Sequence, residues 1–179
     1  MRIKDKIKRP RRPVVVYEIL PPREKDGTLN SYAANISSLL SQTHIDAINI
    51  PEVRDEVARG ERPIKNQIRA EPREFGRLLQ DIVGIEAIIN RVVVHQDMEK
   101  EMTWLEQTNK KYEIENLITV GGESRSIKYP GPSVKQALAA ISKDQKLDLL
   151  CGGISIPSRE KESLRLIEKS ENGAEFFTT

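Results

Sequence analysis

Cysteine is nearly absent. Cys151 stands alone, which excludes an internal disulfide and fits a reducing compartment. It lies in an apolar stretch with no basic group beside it in sequence, so it reads as a buried structural thiol rather than a nucleophile. Histidine is almost as scarce: His44 precedes one apparent strand and His95 ends another, at opposite rims, so no ligand spacing for a metal emerges. Aromatic residues make up 4% of the chain, and no basic-aromatic alternation offers bases a stacking platform. No apolar run approaches the ~18 residues that suggest a membrane span, and the N-terminal region lacks the apolar core of a signal peptide. A soluble cytoplasmic protein is expected, with neither membrane nor nucleic acid as partner. Neither a Gly-x-Gly-x-x-Gly turn nor a Walker loop is present, which argues against a dinucleotide-binding doubly wound domain and a P-loop NTPase.

Charge, by contrast, is abundant and balanced, with 29 Lys and Arg against 27 Asp and Glu. The basic residues crowd the start, where Arg2, Lys4, Lys6, Lys8, Arg9, Arg11 and Arg12 fall close together. Residues 1–13 are therefore expected to form a basic, poorly ordered arm, ahead of one domain over residues 14–179. The 179 residues suffice for a real core but fall short of the ~250 typical of a closed eight-stranded α/β barrel.

The chain is organised around Val14-Val15-Val16-Tyr17-Glu18-Ile19-Leu20-Pro21-Pro22-Arg23. It is too short for a typical helix and too uniformly apolar for a strand with one wet face, so it reads as a buried parallel strand. Pro21 and Pro22 end it, because proline offers no N–H. Further strands are expected at 45–50, 91–96, 114–120, 147–154 and 175–178. Helical spacing marks Asn30 to Gln42, a segment opened by Pro72, Glu99 to Lys110, a segment opened by Ser133, and Glu160 to Ser170. Residues 85–89 are read as continuing the helix after Gly84 or forming a short one of their own. Trp104, beside Leu105, reads as packing between helix and sheet. Six strands alternating with helices predict an α/β parallel sheet, and the missing nucleotide motifs favour part of a (β/α)8 TIM barrel, truncated after about six strands.

Glu18, His95 and Glu123 fall at strand-to-loop junctions of one rim, where α/β folds place their chemistry. A carboxylate held among apolar strands suits an acid that must keep its proton, so Glu18 and Glu123 could divide acid and electrostatic roles. The alternative for Glu18 is a carboxylate neutralised by a buried arginine. Gly121-Gly122 and Gly152-Gly153 each follow a strand, either to let a ligand lie across both or simply to turn the chain.

These pieces resemble the methylenetetrahydrofolate reductase family. Its opening Phe-Glu-Phe-Phe-Pro-Pro-like motif is similar to Tyr17-Glu18-Ile19-Leu20-Pro21-Pro22. Its fourth strand is matched by Asn116-Leu117-Ile118-Thr119-Val120-Gly121-Gly122-Glu123, and its fifth by Gly153-Ile154-Ser155-Ile156-Pro157. A helix ending before Gly173-Ala174 and then Phe176-Phe177-Thr178-Thr179 resembles the family's next segment. The resemblance implies a flavin-dependent oxidoreductase that takes electrons from NAD(P)H through FAD to methylenetetrahydrofolate. Glu18 would be the general acid at the folate nitrogen, and Glu123 would replace an aspartate near flavin and folate. Asn49 and His95 would touch the flavin, Gly121 and Gly122 its ribityl and phosphate side, and Glu162, Arg165 and Lys169 its adenosine portion. The family arginine is Gly121 here, and the folate-binding glutamine expected after Thr179 lies beyond the sequence. Two alternatives follow: a non-catalytic folate- or flavin-binding relative or subunit that needs a partner, and an inactive truncated product. Self-association or a partner subunit is expected in any of these.

Overall fold

The computed structural model describes residues 2–10, 12–53, 68–122 and 126–179. Within these residues six strands, β1 (Val16–Glu18), β2 (Ala47–Pro51), β3 (Glu86–Val92), β4 (Asn116–Val120), β5 (Leu150–Ile154) and β6 (Phe176–Thr178), pair in chain order. Every neighbouring pair is parallel. The sheet curls into an open half-barrel, part of the (β/α)8 plan expected from the sequence.

Among the described residues six helices accompany the strands: α1 (Ile3–Lys8), α2 (Leu29–Leu40), α3 (Pro72–Val83), α4 (Met98–Lys110), α5 (Val134–Lys143) and α6 (Glu162–Glu171). Their starts are capped locally. Thr28 accepts from Ser31 N, Asp97 from Lys100 N and Ser133 from Gln136 N, each satisfying a backbone donor that the helix leaves unpaired. Proline at the first position opens α3, where its missing N–H costs nothing.

Alternation along the strands sorts their side chains onto two faces. Ile48, Ile50, Ala87, Ile89, Leu117 and Cys151 pack outward with Phe75, Leu79, Leu105 and Leu138 of the helices. Ala47, Ile88, Ile118 and Leu150 point inward and pack with Ile3 of α1. Burial pushes the Cys151 thiol up to about 12, as befits an inert structural cysteine. Trp104 is also structural, lying between the guanidinium groups of Arg73 at 4.2 Å and Arg91 at 4.3 Å.

Three expectations need correction. First, the basic arm is not loose: α1 sits at the N-terminal end of the sheet with Ile3 buried. Its cations meet acids that open the strands. Lys6 and Arg12 reach Asp46 at 2.9 and 2.7 Å, Lys4 reaches Asp148 at 3.0 Å, Arg2 pairs with Glu115 and Lys8 with Glu175. Second, β1 is not buried. Val15, Val16, Tyr17 and Leu20 are 41–54% exposed, because β1 has one strand neighbour and lies at the sheet's edge. Third, strand three runs Glu86–Val92 rather than 91–96, and residues 85–89 belong to neither α3 nor a helix of their own. Gly84 ends α3 at φ 71°, a left-handed stop that glycine adopts without penalty. Val93–His95 then forms a 3₁₀ turn instead of strand.

Candidate functional site

The C-terminal ends of β1, β2 and β3 bring three polar side chains to the mouth of the curled sheet. Glu18, Asn49 and Asn90 share an inward-facing cavity of about 540 Å³, floored by Ile88, Ile118 and Phe176. Register explains the grouping: Glu18 pairs with Asn49, and Asn90 lies beside Pro51, two residues further along β2 and so on the same face. Asn49 donates from Nδ2 to Glu18 Oε2 at 2.8 Å. A carboxylate only accepts, so this bond fixes which way the amide points. Oδ1 of Asn49 is then left buried without a hydrogen-bond partner, as is Oδ1 of Asn90. Buried acceptors in this state are uncommon and costly, about 1–3 kcal/mol each. The mouth therefore presents a row of acceptors above an apolar floor. It suits a flat ligand rich in N–H donors.

The expected site residues divide between two places. Glu18 and Asn49 are brought together in the lumen, away from the other expected contacts. Asn90 joins them although the sequence analysis missed it; its signal was a polar residue inside the apolar run Ala87 to Val94. Glu123 lies outside the described residues, as do residues 54–65 of the loop expected from Glu52 to Lys65. Glu52 is described and binds Arg91 Nη1 at 2.8 Å and the Val92 N–H at 3.0 Å.

Gly121, Gly122, Arg165 and Lys169 line a second cavity of about 340 Å³ beyond the ends of β4 and β5, together with Lys135 and Arg159. Lys169 Nζ donates to the Ile154 carbonyl at 2.5 Å, and burial, opposed by Glu162, draws its pKa below the ordinary lysine value. Glu162 is itself buried, accepting from the Ile156 N–H at 3.0 Å. Its role is to tie the β5 loop to α6 and to face Arg159 at 3.6 Å and Arg165 at 3.9 Å.

The glycines resolve differently from one another. A Cβ on Gly152 would stand 2.5 Å from the Phe176 ring, and one on Gly153 would press on Lys169 and Phe177. Both let neighbouring side chains of the fold approach the strand. A Cβ on Gly122 would lie 2.1 Å from Tyr129, whose ring also meets His95 edge-on at 5.6 Å. FAD is the group that the resemblance implies. The cations of the second cavity match its phosphates, but Tyr129 fills the space beside Gly122 where its ribityl and phosphate side was expected. The described residues thus supply charge for the anionic end of a flavin nucleotide but leave no room for it beside Gly122.

No family model matches the sequence, and no curated protein matches it. Among solved structures, an uncharacterized protein from Clostridium thermocellum that binds two copies of 5-methyl-5,6,7,8-tetrahydrofolic acid is similar, with a TM-score of 0.70 and 23% identity. The match covers 98% of this chain and 56% of that one, so this chain spans little more than half of its length. At that identity the likeness shows the fold alone: an open parallel α/β half-barrel.

Proposed function

We propose that the protein binds a reduced folate, with the pterin in the lumen between Glu18, Asn49 and Asn90. The observation that carries this reading is the pair of buried, unpartnered Oδ1 atoms of Asn49 and Asn90 beside the Glu18 carboxylate. A tetrahydropterin has donors to spare: its 2-amino group, N3–H and N8–H. Three acceptors on adjacent strands would take up such an edge, while Ile88, Ile118 and Phe176 would receive the ring's faces. The cavity volume lies within the range of ~300–1,000 Å³ usual for small-molecule sites. The solved structure of similar fold binds 5-methyltetrahydrofolate, which supports the same ligand class here.

Binding needs no redox step from this chain. Reduction of methylenetetrahydrofolate through FAD and NAD(P)H is the finer form of the reading, supported by the resemblance and by the cations near β4 and β5. A flavin absorbance spectrum on the purified protein tests it. For the binding reading itself, equilibrium dialysis against 5-methyltetrahydrofolate should give saturable uptake. Glu18→Gln and Asn90→Ala should each weaken it roughly tenfold, since the first removes the charge and turns one acceptor oxygen into a donor NH2, and the second removes an acceptor outright. Absence of saturable uptake, or unchanged affinity in both variants, would refute the assignment.

A further inference from the structure

α1 belongs to the ligand cavity as well as to the fold. Ile3 and Ile7 stand one helical turn apart, so their side chains fall on one face of the helix. Ile3 is 1% exposed and packs under the lumen floor against Ala47, Ile88, Ile118 and Leu150. Ile7 is only half-buried, and with Pro10 it lines the lumen that holds Glu18, Asn49 and Asn90. One wall of the cavity is therefore not part of the sheet. That wall cannot stand by itself. α1 has six residues, and Arg2 before it provides no side-chain cap, whereas helices shorter than ~12–15 residues are marginal alone in water. Apart from Ile3 and Ile7, it is held by its cations on the acids that open the strands. A short element docked through so few groups opens as a unit, well before the sheet does.

Resting on the folate reading for the identity of the ligand, we propose that α1 is a movable wall of the lumen whose docking is coupled to ligand binding. A ligand lying over Ile88 and Ile118 buries part of its surface against Ile7 and Pro10, and it loses those contacts when α1 leaves. Departure of α1 also uncovers Ile88 and Ile118 from below, where Ile3 had kept water off them. The docked and undocked forms thus differ in affinity. By linkage, the ligand favours docking of α1 by the same factor by which docking raises affinity.

Both sides of the linkage can be read with 5-methyltetrahydrofolate as the probe. The Lys6 and Arg9 amides donate to the Arg2 and Asp5 carbonyls at 3.1 and 3.0 Å, so their hydrogen exchange, followed by NMR, reports the opening of α1. Saturating probe should slow both by roughly fivefold or more. Equilibrium dialysis gives the reciprocal effect. Ile3→Ala loosens α1 without altering a residue that lines the lumen, and it should lower affinity by roughly tenfold. Lys8→Glu, which sets two carboxylates against each other at Glu175, should lower it by about threefold. Adding Glu175→Lys should bring affinity back to within about twofold of the original. This swap leaves the net charge as it was, so recovery reports docking rather than the charge felt by an anionic probe. If Ile3→Ala folds poorly, Lys8→Glu and the swap carry the test. Saturable uptake that leaves the Lys6 and Arg9 exchange unchanged would overturn the inference and keep the folate reading. Original affinity in both Ile3→Ala and Lys8→Glu, with α1 exchanging faster, would overturn it too. Absence of uptake by the original chain would remove the folate reading and the inference with it.

Discussion

Asp46 opens β2 with a carboxylate that is 2% exposed and fully engaged. It accepts from the Val15 N–H at 2.9 Å and meets Arg12 at 2.7 Å and Lys6 at 2.9 Å. The backbone N–H, opposed by burial and joined by the two cations, draws its pKa down to about 2. A folded-state value below the unfolded one means that the carboxylate stabilises the fold above about pH 4. That contribution is lost as the pH falls towards about 2. Asp46→Asn should therefore flatten the acid limb of stability, measured by urea unfolding from pH 6 to pH 2. An unchanged limb would show that Asp46 is not its source. Arg91 is the opposite case, a cation buried to 1% exposure and held by Glu101 at 2.7 Å and Glu52 at 2.8 Å. Truncating one partner strands the other charge, so Glu101→Ala should cost about 3–5 kcal/mol. Arg91→Met with Glu101→Leu should recover part of that cost, because the pair is then replaced by apolar volume.

α1 shows how magnitudes rank the forces on one element. Apart from Lys6 with the buried Asp46, its ion pairs engage partly exposed side chains, among them Lys4 with Asp148 and Lys8 with Glu175, and such exposed pairs contribute at most about 1 kcal/mol each. Ile3 is 1% exposed and packs into Ala47, Ile88, Ile118 and Leu150, so Ile3→Ala should cost about 2–5 kcal/mol. Hydrogen exchange should then show the α1 amides opening faster in Ile3→Ala than in Lys4→Ala; the reverse order would mean that charge holds the helix. The sequence carried a sign of this docking that was missed. Acids stand at or before the start of β2 to β6, namely Asp46, Glu86, Glu115, Asp148 and Glu175, and they complement the cations of residues 2–12. Charge density alone suggested a solvated arm because it does not reveal what lies opposite. Strand three slipped for a related reason. The expected strand began at Arg91, yet Glu52 and Glu101 hold that cation in mid-sheet, and the break that matters is Gly84. The other strands and the starts of α3 and α5 were legible because the punctuation of Pro72 and Ser133 acts locally, whereas the caps Thr28 and Asp97 were not read. The lumen was not, since it depends on the register that sets Asn90 near Glu18 and Asn49.

At the scale of the whole molecule, the open sheet determines both the lumen and the exposed surface. Among the described residues β1 and β6 each have one strand neighbour, so one side of each backbone ladder is unpaired. On β1 this edge is also apolar, with Val16 41% and Tyr17 54% exposed. Long apolar edges are templates for pairing with another chain, and proteins commonly blunt them with charge. Only Glu18, engaged by Asn49, places a charge within β1. The 179-residue chain should therefore associate with a second copy as its concentration rises. Val15→Lys, next to β1 at an already exposed position, should shift that association to higher concentration while leaving folate uptake unchanged, since Val15 does not line the lumen. Sedimentation velocity across a roughly hundredfold concentration range reads the difference directly. An original chain that stays monomeric throughout would show that β1 offers no template to another chain. Association unaffected by Val15→Lys would place the contact elsewhere.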